Sequence, residues 1–69
     1  MSEGEPVRIP AEVLKGLEAV RRYTGTDAPD IPTLRYVASE RGQRALVVWI
    51  DQHEHDYAQG LLNGFEVED

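Results

Sequence analysis

Apolar residues in this chain recur mostly at helical spacing, and one stretch, Thr33 to Ile50, organises the rest. It reads as a short amphipathic helix, a glycine stop at Gly42, and a second helix opening on Ala45-Leu46-Val47-Val48-Trp49-Ile50. Six successive apolar residues are hydrophobic on every side of a helix. Such a run has to be covered all round, by its own chain or by another copy.

Upstream, Val13, Leu14, Leu17, Val20 and Tyr23 fall at three- and four-residue steps, which predicts a first helix from Pro10 to Tyr23. Proline suits the first helical position, Glu12 complements the positive end of the dipole, and Arg21 and Arg22 complement the negative end. Gly16 either weakens this helix or marks a close packing contact. Residues 24–30 form a loop with Gly25, Pro29 and two short acids, Asp27 and Asp30. Asp30 is the expected N-cap of a second helix over Ile31 to Arg41, buried through Leu34, Val37 and Ala38, and Gly42 closes it in the left-handed conformation.

The third helix is expected from Gln43 to His53. Val47 to Ile50 also suits a strand, but the flanks are not turn formers and no alternating partner strand is evident. A fourth helical piece, Glu54 to Leu62, is either continuous with the third or bent from it near His53, and Asn63-Gly64 stops it. Phe65 can then fold back over the helix end. Residues 1–7 read as a disordered acidic lead, residues 8–65 as a single helical domain and residues 66–69 as an acidic tail. The sequence therefore predicts an all-α fold, a compact bundle of three to four short helices.

Composition narrows the function classes. The 69 residues allow one domain with a thin stability margin, and the absence of cysteine excludes disulfides, thiolate metal sites and thiol catalysis. The acidic start does not resemble a secretory signal and no apolar run approaches a membrane span, so a cytoplasmic protein is expected. The net charge of −6 is segregated. Residues 1–7 carry −2, residues 8–44 hold all seven basic residues and five acids for +2, and residues 45–69 hold six acids and no Lys or Arg. An acidic chain is poorly suited to general phosphate binding, which rests on Lys and Arg, and suits a basic partner or simple solubility.

Three groups of residues invite a chemical reading. His53-Glu54-His55-Asp56, with Asp51 before it, holds metal-type ligands, but the two imidazoles point roughly 200° apart on a helix, so a solvated helix junction is the better reading and no metal is expected. No Ser, Cys or Lys nucleophile stands at a recognisable elbow, so no enzyme activity and no cofactor are expected. The run from Val37-Ala38 through Gly42 to Val48 echoes a helix-turn-helix, with Arg35, Arg41 and Arg44 near the turn as a possible anion or nucleic-acid contact. Asp51, Glu54 and Asp56 oppose that use. Trp49, His53 and Tyr57 stand at i, i+4 and i+8, an aromatic stripe that serves either as core or as a partner-binding face.

The order of these features resembles a family of short, uncharacterised bacteriophage and prophage proteins. The matching pieces are Ala19-Val20-Arg21, Gly25, Val37-Ala38, Gly42, Leu46 to Ile50, Tyr57 and Gly64, over roughly residues 9–65. The family often carries Asn-Met-Phe-Asp in the loop where this chain has Asp27-Ala28-Pro29-Asp30, so only the capping acid is shared. The resemblance implies a phage or mobile-element origin and an all-helical fold, and offers no activity to transfer. Taken together, the expectation is a non-enzymatic accessory protein that forms a homo-oligomer and binds and modulates a host protein through Trp49, His53 and Tyr57. The alternatives are a helix-turn-helix-like nucleic-acid or transcriptional accessory protein, and a dimer that sequesters a small anionic ligand.

Overall fold

The computed structural model describes residues 4–68. Four helices, α1 (Ala11–Thr24), α2 (Ile31–Glu40), α3 (Arg44–Gln52) and α4 (Glu54–Asn63), are bracketed by two short strands, β1 (Val7–Ile9) and β2 (Phe65–Val67). The fold is thus mostly helical and not purely all-α. The strands pair in parallel, with Val7 opposite Phe65, Arg8 opposite Glu66 and Ile9 opposite Val67. Parallel strands need a long crossover, and here the four helices supply it.

The ladder corrects the reading of both ends. Val7 belongs to the fold and not to a disordered lead, and its N–H donates to the Gly64 carbonyl at 2.9 Å. Glu66 and Val67 are strand residues and not a free tail, and Glu68 N–H donates to the Ile9 carbonyl at 2.7 Å. The expectation for residues 1–3 and 69 lies outside the described residues. Two three-residue strands are too short to be stable alone, so the sheet rests on the helices it packs against. Ile9, the last residue of β1, is fully buried.

Local chemistry sets the helix ends. Gly25 takes the left-handed conformation (φ 74°, ψ 15°) and donates to the Arg21 carbonyl at the end of α1. Gly42, at φ 73°, closes α2 as expected: Gln43 N–H donates to Ala38 at 2.8 Å and Gly42 N–H to Ser39 at 3.3 Å. This double bond pattern satisfies two carbonyls that α2 would otherwise leave open. Asp30 occupies the N-cap of α2 with extended backbone, but its side chain makes no capping bond. The chain bends between α3 and α4 at His53 (φ −134°, ψ 41°), so the two are separate helices.

The core is one cluster, with Val13, Leu17 and Val20 from α1, Leu34, Val37 and Ala38 from α2, Leu46, Trp49 and Ile50 from α3, and Tyr57 from α4. Gly16 of α1 faces Leu46 and Gln43, where an added Cβ would lie 3.1 Å from the Leu46 Cβ. It is the close-approach residue that lets α1 and α3 meet.

Candidate interaction surfaces

The aromatic stripe falls inside. Tyr57 is 1% exposed and its hydroxyl donates to the carbonyl of buried Pro29, pinning the loop between α1 and α2 onto α4. Burial pushes the Tyr57 phenol above its ordinary pKa of 10.0; Arg21 opposes the rise and Asp30 adds to it. Trp49 is also buried, stacked on the His53 ring (centroids 5.1 Å apart, planes within 8°) and met edge-on by Phe65 at 6.4 Å. The His53 Nδ1 lies 2.8 Å from the Trp49 carbonyl. A carbonyl only accepts, so Nδ1 carries the proton in this contact. As a partner-binding face the stripe is corrected: Trp49 and Tyr57 are core, and only His53 reaches partly to solvent.

The three arginines named for anion contact are also separated. Arg35 is held by Glu54 at 3.0 Å and Asp51 at 3.4 Å. Arg41 lies over the Tyr23 ring, 4.5 Å from its centroid. Arg44 is exposed at the start of α3. Asp51 stands seven residues beyond Arg44, about 10 Å along the helix axis, so Arg35 and Arg44 sit at opposite ends of α3. No single site gathers all three. Among the described residues no group of three or more His, Asp or Glu is placed to hold a metal ion.

Two surfaces stand open among the described residues. The first is the outer ridge of α3. The apolar run is not covered all round, because Val48 is 61% exposed, with Arg44 one turn before it and Gln52 one turn after. Clefts flank this ridge. One, between α1 and α3, is lined by Pro10, Val13, Ala45, Val48 and Trp49; the other reaches Ser39, Gln43 and Val47, and Arg44 and Val48 border both. The second surface is the outer face of α4, where His55, Ala58, Gln59 and Leu62 are exposed at i, i+3, i+4 and i+7. Leu62 is 80% exposed, the most of any large hydrophobic residue described, and Leu61 beside it is 38% exposed. Spacing along the chain joins Tyr57, Leu61 and Leu62 in one apolar stripe, and of the three only Tyr57 is buried.

No helix among the described residues is long and apolar enough to cross a membrane. Comparison of the chain with known protein families, with curated proteins and with solved structures returns no match.

Proposed function

We propose that this protein is a non-enzymatic accessory module that binds and modulates a host protein, and that the contact is made by the outer face of α4 against a basic, partly apolar surface. The observation that carries this is the exposed Leu61-Leu62 pair on a helix whose charged residues, Glu54 and Asp56, are both acidic. A single exposed leucine is ordinary, but an adjacent pair on a helix that carries no Lys or Arg suits a partner. The charge segregation supports the same reading, since no Lys or Arg follows Arg44. Complementary charge speeds encounter and selects the partner, while the leucines supply area to desolvate.

A photoreactive residue at position 62 is expected to cross-link a basic polypeptide in source-cell extract. The same residue at position 36, also exposed on α2, serves as the control and gives no such product. Leu62→Ser should lower capture of that partner by about tenfold, the loss of one interfacial side chain worth ~1.4 kcal/mol. Identical product patterns from positions 62 and 36, or full capture by Leu62→Ser, would sink the assignment.

One observation favours a second reading. The α2–Gly42–α3 order matches a helix-turn-helix, and the one open ridge of α3, at Val48, has Arg41 and Arg44 near its start. Asp51 on the same outward face opposes phosphate. This reading requires duplex binding that weakens steeply with salt, roughly one log unit in affinity per log unit of salt for each phosphate contacted.

A further inference from the structure

The apolar run of α3 has one side that its own chain leaves open. Leu46 and Ile50 are fully buried and Trp49 nearly so, while Val48 projects from the outer ridge. Along that ridge the residues within about one quadrant of the helix are Arg44, Val48, Asp51 and Gln52, following the 3.6-residue turn. Positive charge stands at one end, an apolar side chain in the middle and negative charge at the other end. Arg44 lies about 6 Å before Val48 and Asp51 about 4.5 Å after it along the axis. A surface of this kind is complementary to itself when turned through a half rotation about Val48.

We infer that the outer face of α3 is the two-fold seam of a homodimer. In an isologous interface the same patch serves both copies, so each contact occurs twice. The two α3 helices run antiparallel across the axis, which sets Arg44 of each copy against the partner's Asp51. Val48 of each copy enters the cleft between α1 and α3 of the other, against Pro10, Val13, Ala45 and the edge of Trp49. Both charged groups reach solvent. Arg44 has no carboxylate partner among the described residues, and the Asp51 side chain is 69% exposed. Arg35, which Asp51 meets at 3.4 Å, keeps the closer Glu54 at 3.0 Å. The occupant is a second copy because the charge order along the ridge answers itself. The seam uses none of the α4 residues assigned to the host partner, so it stands or falls separately from that reading.

The test is a charge swap read by sedimentation or light scattering over a dilution series. The wild-type chain is expected at twice its 7.8 kDa mass, dissociating on dilution. Arg44→Asp alone sets like charges against each other twice per dimer, and so does Asp51→Arg alone. Each should weaken self-association by about tenfold or more. The double variant R44D/D51R regenerates both pairs and should return to within about threefold of wild type. Both substitutions lie on exposed side chains, and unchanged helical circular dichroism shows that the fold is intact. A wild-type mass of one chain throughout the series overturns the proposal. So does a dimer that neither single swap weakens, or one that both weaken and the double variant fails to restore.

Discussion

Gly60→Ala is expected to destabilise the protein by about 2–3 kcal/mol, although in an ordinary helix the same change stabilises by ~1 kcal/mol. Gly60 is buried in the second turn of α4, and the Phe65 ring lies directly on it. A Cβ at this position would occupy the space of the ring atoms Cδ1, Cε1 and Cζ, so the ring has to leave. Its place matters. Phe65 stacks on Tyr57 with centroids 5.9 Å apart, meets Trp49 edge-on, and carries the Arg21 guanidinium at 5.6 Å. Phe65 is also the first residue of β2, so displacing it loosens the pairing with Val7 that ties the two ends of the domain. A chain of this size has only a few kcal/mol to lose, so the melting temperature should fall by roughly 10–20 °C. The cause can be isolated. In a Phe65→Ala background the three ring atoms nearest to a Cβ at residue 60 are gone, and Gly60→Ala should then be neutral or stabilising. A Gly60→Ala protein that melts with wild type, or that remains destabilised without the ring, would contradict this account.

The helices were legible because their signals are local. Apolar spacing, the dipole-matched charges on α1 and the left-handed glycine at Gly42 place every helix end within one residue of where it lies. Phe65 folding back over the end of α4 was legible for the same reason. The sheet was not. Val7-Arg8-Ile9 and Phe65-Glu66-Val67 each alternate for only three residues, and the whole bundle separates them. The usable signal was the match between them: apolar outer positions and opposite charges at the centre, which the fold sets 3.2 Å apart as Arg8 and Glu66. That pair is exposed on both sides and contributes little, so it marks register more than stability.

The candidate surfaces show the same limit. Spacing at i, i+4 and i+8 gathers Trp49, His53 and Tyr57 on one side of a continuous helix, and any such stripe suits core and contact equally. The bend at His53 removes the premise, and burial of Tyr57 against Pro29 decides for core. Arg35 was grouped with Arg41 and Arg44 because they are near in sequence. Asp51 and Glu54 draw it to the far end of α3, a long-range pairing with no local signature. Exposure of Val48 follows from which three residues of a six-residue run the core has room for. That is a property of the packed bundle, and the run itself is apolar at every position.

Tyr57→Phe is the change that separates the chemistry of the core from its volume. It preserves the ring that Phe65 and the helices pack against and removes only the hydroxyl. The Pro29 carbonyl, on a buried residue, then loses its donor, at a cost of about 1–3 kcal/mol near neutral pH. Because burial raises the Tyr57 pKa above 10.0, the folded state favours the protonated phenol more than the unfolded chain does. The stability tied to this group is therefore complete below the unfolded value, near pH 10, and is lost as pH rises through the higher folded value. Urea denaturation of wild type and Tyr57→Phe should give a constant gap at pH values up to about 9, and that gap should shrink above about 10.5. Tyr23 and Tyr36 are present and exposed in both proteins, so their titration cancels in the difference. A gap that persists unchanged into alkali would mean that the phenol ionises as easily in the fold as outside it. The bond to Pro29 would then not be what fastens the α1–α2 loop to α4.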